Sequence, residues 1–204
     1  DTLDLHRKST FLLFNFDEEI AVDIVEKAKK LDVCGYEIER SCIRFIAMEQ
    51  PLATDLMYIE SSIRVISHVK RIAYLCRNIA ESAATIEGIK VSNKIRGDLE
   101  YMADYVQIML TRGFGSFCNQ DISVARELAS DDDKVDDLFD IILSHTTELL
   151  TEKTQNALEI VNIIFIARYL ERIADRVVNI GERVIFINTH KRPHIEELKK
   201  EAIN

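Results

Sequence analysis

Between Ile20 and Met48 apolar residues recur three and four positions apart, at Ile20, Ile24, Val25, Leu31, Ile38, Cys42, Ile43, Phe45 and Ile46, with charged residues filling the intervals. That spacing lays one apolar stripe along an α-helix, whereas a half-buried strand would alternate at every second residue. The stripe follows Asn15-Phe16-Asp17-Glu18, an Asn or Asp cap with acids in the first turn. Such a start satisfies free backbone N–H groups and suits the helix dipole. Upstream, Leu3, Leu5, Leu12 and Leu13 read as the end of an earlier helix, and Gly35 is expected to loosen the second one. Pro51 suits the first turn of a third helix running to about Ile86, with Gly88 as its stop.

The same grammar returns in the second half. A helix is expected from about Asn93 to Thr111, a break at Gly113-Phe114-Gly115, a helix from Asp121 to about Leu150, and a last one from Thr154 to about Ile187. Pro193 forbids much continuation. Six helices in two sets of three emerge, joined at Ser92 to Gly97. The expected fold is therefore all-α, two tandem three-helix bundles over residues 1–91 and 92–204. Composition agrees: two prolines and six glycines leave few turns, and a chain 47% hydrophobic over 204 residues buries a core without needing disulfide or metal.

The halves also match residue by residue, which is the test of a true repeat. Residues 70–81 read K-R-I-A-Y-L-C-R-N-I-A-E and residues 171–182 read E-R-I-A-D-R-V-V-N-I-G-E. Asp17 precedes Asp32 by fifteen residues, as Asp121 precedes Asp136. The disagreements carry the chemistry: Lys70, Tyr74 and Ala28 stand where the second half has Glu171, Asp175 and Asp132.

Residues four apart on a helix differ by about 40° around its axis, so Glu171 and Asp175 share one face. Asp132 and Asp136 have the same spacing on the preceding helix, and antiparallel packing would join the two pairs across a seam. Glu182 returns to nearly the direction of Glu171. Clustered carboxylates repel one another unless a cation neutralises them, and an all-oxygen set suits Mg, Mn or Fe better than Zn. The competing reading is a solvated acidic face with Arg172 and Arg176 as helix ion pairs. For Asp131-Asp132-Asp133 it is a run near a helix start that gains from the dipole.

The formal charge of −9, with no basic patch interleaved with aromatics, argues against nucleic-acid binding. Cys34, Cys42, Cys76 and Cys118 stand singly and read as reduced, buried thiols, hence a cytoplasmic home. No segment has the apolar length for membrane insertion, and no signal segment opens the chain. The first residue is Asp rather than Met, which leaves room for a preceding domain. Neither a phosphate loop nor a nucleophile elbow is present, and His6, His68, His145, His190 and His194 form no Glu-x-x-His pair, so no enzyme, and no di-iron oxidase, is expected.

At Tyr169-Leu170-Glu171-Arg172-Ile173-Ala174-Asp175 and Asn179-Ile180-Gly181-Glu182 the sequence resembles the PhoU family, regulators associated with bacterial and archaeal phosphate uptake. Cys42, Gln50-Pro51-Leu52-Ala53-Thr54-Asp55-Leu56, Asp17-Glu18-Glu19 and Lys134-Val135-Asp136 extend the resemblance over nearly the whole chain. It implies two pseudo-repeated three-helix bundles, a homodimer, and E/D-x-x-x-D motifs holding multinuclear iron or other divalent metal clusters. Carried over, those motifs match Asp132, Asp136, Glu171 and Asp175, whereas Ala28, Asp32, Lys70 and Tyr74 leave the first half with one acid. One metal site is expected, with Lys70 as an internal cation in place of the other. The resemblance further implies a negative regulator linking the phosphate transporter's ATPase to a sensor kinase, and relatives with a fused DNA-binding or potassium-channel-related domain. A metal-free helical scaffold that dimerises or docks on a partner remains the alternative.

Overall fold

A computed structural model describes residues 1–90, 92–152 and 157–191. Its elements are α1 (Thr2–Phe14), α2 (Glu18–Glu49), α3 (Ala53–Ile86), α4 (Asn93–Asn119), α5 (Ile122–Glu152) and α6 (Ala157–Thr189). The chain is all-helical among the described residues. Thr154 and Pro193, expected to begin and limit the last helix, lie outside them.

Helices α1, α2 and α3 pack on one another, as do α4, α5 and α6, and the two sets are tied by α1 against α4 and α3 against α6. Buried residues from both sets form one continuous apolar cluster, from Leu5, Leu12 and Ile72 through Leu99 and Val106 to Leu170 and Val184. The repeated acids predicted as helix starts act as matching caps. Asp17 Oδ1 accepts from Glu19 N at 2.9 Å and Ile20 N at 3.1 Å. Asp121 Oδ1 accepts from Ser123 N at 2.9 Å and Val124 N at 3.2 Å. Each occupies backbone donors that a helix start leaves free.

Three local expectations change. Pro51 precedes Leu52, the N-cap of α3, instead of sitting in its first turn. Gly35 does not interrupt α2. Nor do Gly113 and Gly115 break α4, which runs on to Asn119. A Cβ at Gly113 would run into Cγ1 of Val177, so this glycine lets α6 approach α4. Helix propensity is sacrificed there for packing, and tertiary contact wins. Gly88 does end α3: its φ is +82°, and its N–H bonds Ala83 O at 3.1 Å.

The cysteines are free, but not uniformly buried. Cys76 is buried, and burial pushes its thiol up to about 12; Cys42 is half-buried, and Cys34 and Cys118 are exposed. No described helix is long and apolar enough to cross a membrane.

Candidate metal centre

Helices α5 and α6 run antiparallel, and their register is set where Gly181 meets Ala125: a Cβ on the glycine would stand 3.0 Å from the Ala125 carbonyl oxygen. Counting inward from that contact places Asp132 level with Asp175 and Asp136 level with Glu171. Asp132 and Glu171 are buried, each 8% exposed, while Asp175 is half-buried and Asp136 is exposed. The four acids thus grade from the interior to the mouth of one seam.

Glu171 carries the strain of that arrangement. Its Oε1 accepts from Arg168 Nη1 at 2.5 Å, but its Oε2 is buried without a hydrogen-bond partner. Burial, then the charges of Asp175 and Asp136, hold its carboxyl above the usual range against the opposing pull of Arg168 and Arg172. Asp175 and Asp136 thus both act on Glu171, with Asp132 a turn from Asp136 on α5. Glu182 shares Glu171's direction but stands about 16 Å along the helix from it, too far to share one ion.

The competing accounts fare unevenly. Asp131-Asp132-Asp133 begins in the third turn of α5, beyond the first-turn reach of the dipole. Asp131 instead anchors α4, accepting from Tyr105 Oη at 2.7 Å and pairing with Arg112 and Lys134. Arg172 and Arg176 are not the helix partners of Glu171; Arg168, three residues before it, is. Yet among the described residues no three His, Cys, Asp or Glu side chains converge closely enough to hold an ion as they stand. The fit to a cation is thus chemical: a buried carboxylate oxygen lacking a donor, beside two further acids.

The equivalent seam of the first repeat is neutralised from within. Lys70 Nζ stands 3.6 Å from Asp32 Oδ1 and 3.4 Å from Glu39 Oε1. Its stem lies against Gly35, where a Cβ would come 2.7 Å from Lys70 Cδ. Glu39 was not picked out by the motif comparison, although its spacing of seven from Asp32 places both on one face of α2. Among the described residues the histidines join neither seam: His145 Nδ1 bonds Asp98 Oδ2 at 2.8 Å, and buried His6 Nδ1 bonds Gln107 Oε1 at 2.7 Å.

Comparison with known proteins agrees with this architecture. The family model described as the PhoU domain matches residues 2–83 and 99–184. The phosphate-specific transport system accessory protein PhoU homolog 1 of Methanothermobacter thermautotrophicus is 43% identical over 192 residues, 94% of this chain and 88% of that protein. A PhoU homolog of the same description from Clostridium acetobutylicum is 28% identical over 89% of this chain and 83% of its own length. The crystal structure of PhoU from Pseudomonas aeruginosa superposes with a TM-score of 0.88 at 24% identity, covering 93% of this chain and 91% of that one, which speaks to the fold. With the family model matching both repeats and a relative 43% identical over most of its length, the chain belongs to the PhoU family.

Proposed function

We propose that this chain is a non-enzymatic accessory of phosphate transport that acts through protein contacts, with a divalent or iron ion (Fe, Mn or Mg) held at the seam of α5 and α6. The transport role is supported by relatives named phosphate-specific transport system accessory proteins. The metal reading is carried by one observation, the buried Glu171 Oε2 without a partner beside Asp175 and Asp136. In this reading Asp132, Asp136, Glu171 and Asp175 hold the ion, singly or as a multinuclear cluster, and draw closer than they stand. The ion supplies positive charge that joins α5 to α6.

Protein contact is supported by α2, which presents Val33, Tyr36, Ile43, Phe45 and Met48 to solvent, a far more apolar face than a free helix needs. A second copy in a homodimer, or the transporter's ATPase, would cover it, with a sensor kinase as the further partner and negative regulation of uptake on the cytoplasmic side as the result. The second reading, a metal-free scaffold, draws on the lack of converging carboxylates. Affinity capture of the tagged full chain from cells grown at high and low phosphate tests the role. Recovery of the transport ATPase that changes with phosphate is expected; recovery of neither ATPase nor kinase at either level would sink it.

A further inference from the structure

The seam between α3 and α6, where the two repeats meet, concentrates positive charge in a chain whose acids outnumber its bases 35 to 26. Arg64 Nε donates to Glu60 Oε1 at 2.8 Å, and Arg183 Nη1 approaches the other oxygen of the same carboxylate at 3.4 Å. Arg176 makes no ion pair among the described residues, and its Nε is buried without a hydrogen-bond partner. His68 lies half-buried between them. Burial, then the charges of Arg176, Arg183 and Arg64, push its ring down to about 4, so it stands neutral at ordinary pH. Ser61, beside Glu60, is fully buried and its hydroxyl also lacks a partner.

Two of the three guanidiniums thus share one carboxylate and Arg176 stands outside that pairing, while elsewhere Arg77, Arg112 and Arg168 each pair with an acid. The helices are antiparallel here, with Glu60 opposite Arg183 and His68 opposite Arg176. The α3 donors span two turns, about 11 Å, a length arginine side chains bridge. A guanidinium fork, a hydroxyl and a neutral imidazole are donors suited to a tetrahedral oxyanion, which accepts from several directions at once. The local excess of about two charges matches one phosphate. Arg183 lies over the Phe186 ring, but a cluster this short does not track a nucleic-acid strand.

We propose that this seam binds one small inorganic oxyanion, phosphate in the first instance, through Arg176, Arg183, Arg64, His68 and Ser61. An anion there joins the repeats electrostatically, so phosphate concentration acts on the contact between them. The site rests on the cationic cluster; only the choice of phosphate as probe rests on the transport reading above.

Equilibrium dialysis of the full chain against radiolabelled inorganic phosphate tests this, in metal-free buffer with chloride holding ionic strength constant. Saturable binding near one per chain is expected, displaced by sulfate and weakened at least tenfold in Arg176→Gln and Arg183→Gln, with circular dichroism confirming folding. Arg64→Gln, on an exposed residue, weakens it less and decides the matter if the variants at half-buried Arg176 and Arg183 do not fold. Glu171→Ala with Asp175→Ala leaves it unchanged, which separates this site from the metal seam. The proposal is overturned by uptake no greater than without protein, by wild-type affinity in the folded arginine variants, or by loss of binding in the Glu171/Asp175 variant. It is also overturned if an acidic peptide binds the cluster and phosphate does not displace it, since the arginines would then dock a partner's carboxylates.

Discussion

The two repeats bury their middle helices to different depths. Over its 32 residues α2 buries Ile24, Ala28 and Gly35, whereas α5 buries Ala125, Leu128, Ala129, Val135 and Ile142 together with Asp131 and Asp132. One methyl marks the difference: Ala80 of α3 occupies the place of Gly181 in α6. Beside Ala80 and Ala21 the first seam opens into a groove of about 580 Å³ lined also by Val22, Val25 and Ala84. In the second seam Gly181 lies against the Ala125 backbone. Spacing then decides how charge is handled. The looser seam admits the long Lys70 side chain, which reaches Asp32 and Glu39. The tighter one leaves Glu171 buried with an oxygen to satisfy. A repeat thus keeps its fold while one copy neutralises its seam with Lys70 and the other leaves a buried carboxylate oxygen without a donor, where the cation is proposed.

Substituting the glycines strikes that difference hardest. Gly181→Ala pushes a methyl against fixed backbone and is expected to cost about 1–3 kcal/mol in urea unfolding. Gly35→Ala meets the movable stem of Lys70 and, at 3.2 Å, Ile66 Cγ2, with no backbone in the way, and gains helix propensity, so a net change under about 1 kcal/mol is expected. Equal costs would mean that the two seams are packed alike.

A smaller effect follows from Glu171. The folded chain holds its proton more tightly than the unfolded chain does, because burial and neighbouring acids raise the carboxyl. The destabilisation is therefore absent below the unfolded value, about 4.3, and grows as pH rises past it toward the folded value. Glu171→Gln should raise the stability of metal-free protein at neutral pH, less where solvent screens the site, and have no effect near pH 3. A gain independent of pH would assign the effect to packing. The smallest change is expected of Lys70→Met, which keeps the stem and removes the ammonium, at a cost of a few tenths of a kcal/mol that fades with added salt.

Much of this was legible in the amino-acid order. Helix periodicity, the caps Asp17 and Asp121 and the repeat are local or near-local, and the structure keeps them. Reading Gly113-Phe114-Gly115 as a break failed because a glycine serves close packing as readily as it ends a helix. The contrary signal was present in Leu110, Gly113, Phe114 and Phe117, whose spacing continues the buried stripe of α4. The pairing of Glu171 with Asp136 and Asp175 followed from spacing and antiparallel packing. The tie of Asp131 to Tyr105 and Arg112, and the isolation of Arg176, depend on which helix faces which, and periodicity within one helix does not encode that.

The central claim is that the second seam takes a cation while the first is served by Lys70. Elemental analysis of purified full chain tests it most directly, comparing wild type with Glu171→Ala/Asp175→Ala and with Asp32→Ala/Glu39→Ala. The account predicts that bound Fe, Mn or Mg is lost from the α6 variant and retained in the α2 variant. Metal content unchanged in the α6 variant, or lost equally from both, would contradict it.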